Sequence, residues 1–308
     1  MSNLHPIDGN LRRAIRAIGQ VGRVLMGRQF AGRNLTVFPD DVFLVSYPRS
    51  GNTWTRFLIG NLVHQDEPVS FTNIESRIPE IYFNPDHRMR RLPRPRILKS
   101  HECFQPHYPQ IIYIVRDPRD VAVSFYHHNV KARNIPDNYP MEDFVLRFIN
   151  AEFDTRWGSW ADHVLSWMLL RRNHPGFLLL RYEDMQRDAL GELGRVAQFL
   201  HKCSFPPIDL GSEKLQRAVD LSSPERMRDL EKAQSADWIL TKKTRHDKPF
   251  VRTARAGGWK SVLSPTSVAS IEAAWSTVMT TLGYHLEAEI AGFPSASAGK
   301  GEINHTTR

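Results

Sequence analysis

The run Asp41-Val-Phe-Leu-Val-Ser-Tyr47 is apolar and β-branched, Pro48 ends it, and apolar residues at helical spacing follow from about Thr53 to Val63. Such a run reads as a strand buried on both sides, and a Gly-containing turn leads from it straight into a helix. The pattern recurs: short strands are predicted at residues 96–100, 110–115 and 177–181, and helices near 119–130, 141–150, 159–172 and 188–201. From Ser212 onward the chain reads helical, interrupted by a basic stretch at 241–255 and closed by a helix near 266–282. Strands alternating with helices imply an α/β fold with a central parallel sheet flanked by helices. The strand–loop–helix unit that opens it is P-loop-like in position.

With 308 residues and no internal repeat, one large domain with two tails is the economical division. Residues 1–34 form a basic amphipathic segment, 35–290 the domain and 291–308 a Ser/Ala/Gly-rich tail expected to be disordered. In the first segment, residues 11–29 place Leu11, Ala14, Ile15, Ile18, Val21 and Leu25 on one helical stripe, with the arginines largely off it. A helix docked on the domain with a solvated basic face has this pattern. A surface helix touching anionic lipid, a peripheral membrane contact, has it too. No apolar run of roughly eighteen residues occurs, so no transmembrane span is expected. Cys103 and Cys203 lie far apart, in neither a disulfide nor a metal-ligand pattern, which fits a reducing, cytoplasmic setting with no metal site. The net charge of +8 favours an anionic partner: nucleic acid, a membrane surface or a polyphosphorylated small molecule.

Three segments carry candidate chemistry. Tyr47-Pro-Arg49-Ser50-Gly51-Asn52-Thr53-Trp54 joins a strand to a helix N-terminus, where free N–H groups and the helix dipole suit a phosphate. Gly51 lets the backbone approach, Ser50 and Thr53 offer hydroxyls, Arg49 offers a fixed charge and Trp54 a stacking face. An ordinary turn capped by Asn52 or Thr53 has the same composition. No Walker A motif is present, which weakens a kinase reading. Lys99-Ser-His101 ends the second strand, at the edge where open α/β sheets bind ligands, although a surface Lys–His pair reads alike. Arg116 ends the third strand and Ser124 lies two turns into the next helix; Arg116 can grip a phosphate bidentately or pair with Asp117 or Asp120.

Taken with two later segments, Trp160–Trp167 followed by Leu178-Leu-Leu-Arg-Tyr182-Glu-Asp-Met185, and Arg252–Lys260, these motifs resemble the PAPS-dependent sulfotransferase family of the cytosolic type. The first is similar to the family's phosphosulfate loop, Tyr-Pro-Lys-Ser-Gly-Thr-Thr-Trp, with Arg49 in place of lysine. The resemblance implies that His101 is the general base and that Lys99 lies near the transferred group. It implies that Arg116 and Ser124 hold the 3′-phosphate, that Tyr182 contacts adenine, and that Ser222 supplies a cofactor-touching hydroxyl. Pro224 stands where the family usually has an aromatic. Arg252-Thr-Ala-Arg255-Ala-Gly257-Gly-Trp259-Lys260 is similar to the family's Arg-Lys-Gly-x-x-Gly-x-Trp-Lys signature, with Arg255 able to supply the charge that Thr253 lacks. The cofactor implied is PAPS, with PAP as product and no metal. No clear counterpart of the family's C-terminal dimer motif is present.

On this reading the enzyme moves a sulfuryl group to an acceptor hydroxyl or amine on a small molecule or carbohydrate. His101, with an ordinary imidazole pKa near ~6.5, takes the proton, and Arg49 and Lys99 offset developing charge. The basic stretch before the last signature is expected to close over the site. Arg88, Arg90, Arg91 and Arg94 hint at an acidic or sugar-like acceptor, and His127 and His128 are candidate pocket walls or packing residues. Two other readings compete: a kinase-like nucleotide transferase and a basic nucleic-acid-binding module. The second lacks any helix-turn-helix, RRM or zinc-finger pattern, so no nucleic-acid partner is expected.

Overall fold

The computed structural model describes residues 31–287, apart from 65, 154, 207, 209, 210 and 253. The amphipathic stripe at 11–29 and the tail at 291–308 lie outside the described residues. Four parallel strands, β1 (Val42–Ser46), β2 (Ile97–Ser100), β3 (Gln110–Val115) and β4 (Phe177–Arg181), form one sheet in the order β2-β1-β3-β4. The helices longer than four residues are α1 (Asn52–Val63), α2 (Pro118–Lys131), α3 (Met141–Ile149), α4 (Trp160–Arg171), α5 (Tyr182–Arg187), α6 (Ala189–Lys202), α7 (Ser212–Leu221), α8 (Pro224–Gln234) and α9 (Pro265–Thr281).

The strands are apolar throughout because both faces are covered. Phe43, Val45, Ile111, Tyr113 and Val115 point into one core with side chains of α2, α3, α4 and α9. Val42, Leu44, Ile112 and Ile114 point into another with α1, α6 and α7. Alternation of successive side chains between faces feeds both layers from one strand. Each large apolar side chain so buried contributes about 1.5–3 kcal/mol. A smaller cluster joins Phe57 of α1 to Phe71, Ile74, Met227 and Trp238, anchoring the start of the basic stretch.

The helix starts follow from local chemistry. Asp117 accepts from Arg119 N ahead of Pro118, Ser223 from Arg226 N ahead of Pro224, and Ser264 from Ser267 N ahead of Pro265. Ser159 and Asp162 form a reciprocal capping box at α4.

β1 leads outward to β2, whereas β3, on the other side of β1, leads away to β4. Loops leaving the carboxyl ends of β1 and β3 therefore diverge and open a crevice between them. At the opposite end of the sheet, Arg96 Nε and Nη2 donate to Asp41 Oδ1 and Oδ2 at 2.8 and 2.5 Å, both side chains buried. Removing one member strands the other's charge, at a cost of about 3–5 kcal/mol. Arg96→Met is expected to lower the unfolding free energy by about that amount in urea titration, and Asp41→Asn added to it is expected to restore part of the loss.

Candidate active site

The β1–α1 loop turns twice through left-handed backbone, at Arg49 (φ 70°) and Gly51 (φ 98°). A Cβ added at Gly51 meets the Tyr182 ring at 2.4 Å, so the glycine is required by space as well as by φ. Gly51 occupies the N-cap of α1 and no side chain caps the helix. Neither Asn52 nor Thr53 is the cap: Asn52 turns inward and donates to Ser46 Oγ at 3.2 Å. The helix end is thus left for an external acceptor.

Arg116 leaves β3 with its guanidinium 4.1 Å above the Tyr182 ring. Its Nη2 donates to the Arg255 carbonyl at 3.1 Å and its Nη1 to the Arg49 carbonyl at 3.5 Å, while Nε is buried without a partner. Arg49 Nε donates to Ser124 Oγ at 3.2 Å and its guanidinium lies 4.7 Å from the Phe250 ring centre. The two predicted cradles therefore meet. Burial, with Arg116 and Arg252 nearby, pushes Arg49 down to about 10; burial and Arg116 do the same to Arg252. Both remain protonated at neutral pH. The nearest carboxylate, Asp120, sits 3.9 Å from Arg116 and is already accepting from the N–H groups of Gly257 and Trp259. Three crowded cations, with Asp120 acting on Arg116 and Arg252 and Glu231 on Arg49, both carboxylates already engaged by backbone N–H groups, make a strong anion site.

At the end of β2, His101 Nδ1 lies 2.6 Å from the Ser46 carbonyl. A carbonyl only accepts, so Nδ1 carries the proton and Nε2 keeps its lone pair. His163 Nε2 donates to the His101 carbonyl at 3.1 Å and its Nδ1 accepts from Tyr113 Oη at 2.9 Å, fixing the backbone behind the ring. Burial first, then Lys99, pushes the His101 imidazole well below its ordinary value. Starting from the ordinary imidazole value near ~6.5, this keeps the ring neutral at neutral pH. Lys99, also buried, pairs with Glu80 at 2.5 Å.

These groups line one cavity of about 670 Å³. Of the predicted residues, Arg49, Gly51, Asn52, Thr53, Trp54, Lys99, His101, Arg116, Ser124, Tyr182, Arg252, Arg255 and Gly257 border it. Ser50 does not; its hydroxyl is buried without a partner. Ser222 is a correction. Its hydroxyl donates to the Ala218 carbonyl at 2.7 Å, as a helix-terminal serine does, and accepts from Asn61 at 3.0 Å, so it faces the core. Pro224 borders the cavity there instead. The arginine-rich loop is a second correction: Arg94 pairs with Asp40 and Arg90 with Asp86, and neither Arg88 nor Arg91 reaches the cavity. His128 borders the cavity and His127 does not. The basic stretch forms a wall through Leu240, Phe250 and Val251, held by Lys131 Nζ to the Arg245 and Lys248 carbonyls and by Glu231 to the N–H groups of Phe250 and Val251. Glu80, Tyr82, Phe83 and Trp157 also line the cavity. No sequence signal marks these four, because each lies between motifs in an irregular segment.

A family model described as "Sulfotransferase domain" matches residues 39–283. Sulfotransferase 1B1 of Canis lupus familiaris is 27% identical over 267 residues, 81% of this chain and 87% of that protein. Sulfotransferase 1B1 of Mus musculus is 29% identical over 265 residues, covering 80% and 85%. Among solved structures, mouse sulfotransferase SULT7A1 complexed with PAP superposes with a TM-score of 0.64 at 25% identity, over 81% of this chain and 87% of that one. Retinol dehydratase in complex with androsterone and inactive cofactor PAP shares the fold, with a TM-score of 0.65 at 22% identity over 80% and 82%.

Gly51→Ala is expected to destabilise the protein by about 1–3 kcal/mol, through positive φ and the collision with Tyr182. Thermal denaturation measures this. Tyr182→Ala in the same chain is expected to recover the collision part alone.

Proposed function

Because the chain belongs to the sulfotransferase family, and is a PAPS-dependent enzyme transferring a sulfuryl group, we propose that His101 is the base that activates the acceptor in the crevice between β1 and β3. One observation carries this reading: two cationic oxyanion cradles, at Arg49 and Arg116, open into the cavity that His101 borders. The uncapped α1 N-terminus, the unpartnered Nε of Arg116 and the crowded arginines fit a bisphosphorylated donor. Arg49 and the α1 amides would hold its 5′-phosphosulfate. Arg116, Ser124 and Arg252 would hold its 3′-phosphate, with Trp54 and Tyr182 beside the adenine.

The donor supplies a sulfuryl group attached to a phosphate leaving group. His101 Nε2 takes the acceptor's proton while the acceptor's oxygen or nitrogen bonds to sulfur and the bond from sulfur to the bridging oxygen breaks. Ser46 holds the imidazole in the tautomer this requires. Arg49 offsets charge on the bridging oxygen but does not hand over a proton. Lys99 faces the transferring group. The aromatic wall of Tyr82, Phe83, Phe125, Trp157 and Phe250 favours a flat, ring-bearing acceptor with a hydroxyl or amine. It replaces the sugar-like hint drawn from the arginine loop, whose side chains point elsewhere. A cytoplasmic setting suits two unpaired cysteines.

PAP is expected to raise the melting temperature, whereas ATP and a single-stranded oligonucleotide are not; stabilisation by the oligonucleotide alone would overturn the reading. His101→Ala is expected to bind PAP as the wild type does and to lose ~10²–10⁴-fold in turnover. The base must be neutral, so kcat/KM should fall only as pH drops through the depressed His101 value, well below 6.5. Bound donor anions favour the imidazolium, so the acid limb of kcat should lie at higher pH than that of kcat/KM. Steady-state kinetics across pH checks both limbs, which are expected to be absent from the residual rate of His101→Ala.

A further inference from the structure

We infer that Glu80 is a positioning residue for sulfuryl transfer, the counter-ion that keeps Lys99 charged and aimed into the cavity. This rests on the reading that places Lys99 beside the transferring group. Residues 79–81 run along the free edge of β2: Lys99 N donates to the Pro79 carbonyl at 2.9 Å and Ile81 N to the Lys99 carbonyl at 3.2 Å. Glu80 is thereby held parallel to Lys99, and its carboxylate reaches the ammonium at 2.5 Å. Both side chains are about 95% buried and both border the cavity.

Two carboxylates and one further cation act on Lys99, and the second carboxylate is already committed. Glu75 binds Arg56 of α1 at 2.7 Å, accepts from Glu80 N at 2.9 Å and accepts from Asn84 at 3.1 Å. Arg56, wholly buried, adds its positive charge close by, and the His101 ring on the same strand end is neutral. Glu80 is therefore the one carboxylate in contact with Lys99 among the described residues. Burial and Arg56 pull the lysine down, and Glu80 is the largest influence holding it up. A buried lysine without its partner readily gives up its proton. A neutral amine has no charge to offset that on a sulfuryl oxygen and donates only weak, uncharged hydrogen bonds to it. An ammonium has three N–H donors, so pairing with Glu80 leaves others for the cavity.

The test is equilibrium titration of full-length protein with PAPS and, separately, PAP, without acceptor, between about pH 6 and pH 10. The preference for PAPS over PAP isolates the sulfuryl contact, since both nucleotides use the phosphate cradles. In wild type this preference is expected to be flat until the lysine's own range. In Glu80→Gln it is expected to fall about tenfold per pH unit above a lower pKa, to the limit of the sulfuryl contribution, while PAP affinity stays unchanged. Lys99→Arg added to Glu80→Gln is expected to flatten it again, because arginine stays charged. A flat preference in Glu80→Gln, whether uniformly weaker or uniformly stronger, overturns the inference. Where Glu80→Gln does not fold, Glu80→Asp carries the same test with a shallower limb, and a flat limb again overturns it. Wild type that does not bind PAP would overturn the donor assignment and this inference with it; normal PAP binding with a flat preference overturns this inference alone.

Discussion

β1 and β3 are hydrogen-bonded neighbours whose chains leave the sheet in opposite directions. Two loops that diverge cannot cover the strand ends they come from, and the gap is where most of the candidate groups collect. Arg49 arrives from one side, Arg116 from the other, and β2 on the flank brings Lys99 and His101 to the same level. The register fixes this: Leu44 of β1 lies opposite both Lys99 and Ile112, so the three strand ends reach the crevice together. The two apolar layers hold that register, because a slip by one residue would turn every strand side chain to the wrong layer.

Within the crevice the polypeptide is arranged against its own stability. Arginines crowd together, a guanidinium N–H of Arg116 is left unpartnered, and a non-glycine residue occupies left-handed backbone at Arg49. Each of these is costly in isolation. Together they describe a surface completed by an anion with several oxygens. Where the chain has no anion to wait for, its charges are matched: Asp41 with Arg96, Glu272 and Asp117 with Arg119.

Much of this was legible in the chain's order. The four strands and the longer helices announce themselves by apolar runs, by periodicity and by Ser-Pro or Asp-Pro starts, all local signals. The cradles are local too, each being one strand end, one turn and one helix start. What escaped depends on partners distant in sequence. Ser222 has the right neighbours in the chain, yet its hydroxyl turns back to Ala218 and meets Asn61 of a different helix. The arginines of residues 88–94 read as a basic patch, while Arg94 is matched by Asp40, 54 residues away. The depressed His101 value arises from burial and from Lys99, and burial is a property of the packed layers rather than of the motif. Glu80 had no motif around it at all.

Helix α2 is a mechanical part as well as a binding one. It begins directly after Arg116 and Asp117, carries Ser124 against Arg49 near its middle, and ends at Lys131, whose ammonium fastens the wall that bears Phe250. Its 14 residues make a rod about 21 Å long. The Arg116–Ser124–Arg49 cluster and the Phe250 wall of the cavity are thus mounted on one beam, and a tilt at either end is felt at the other.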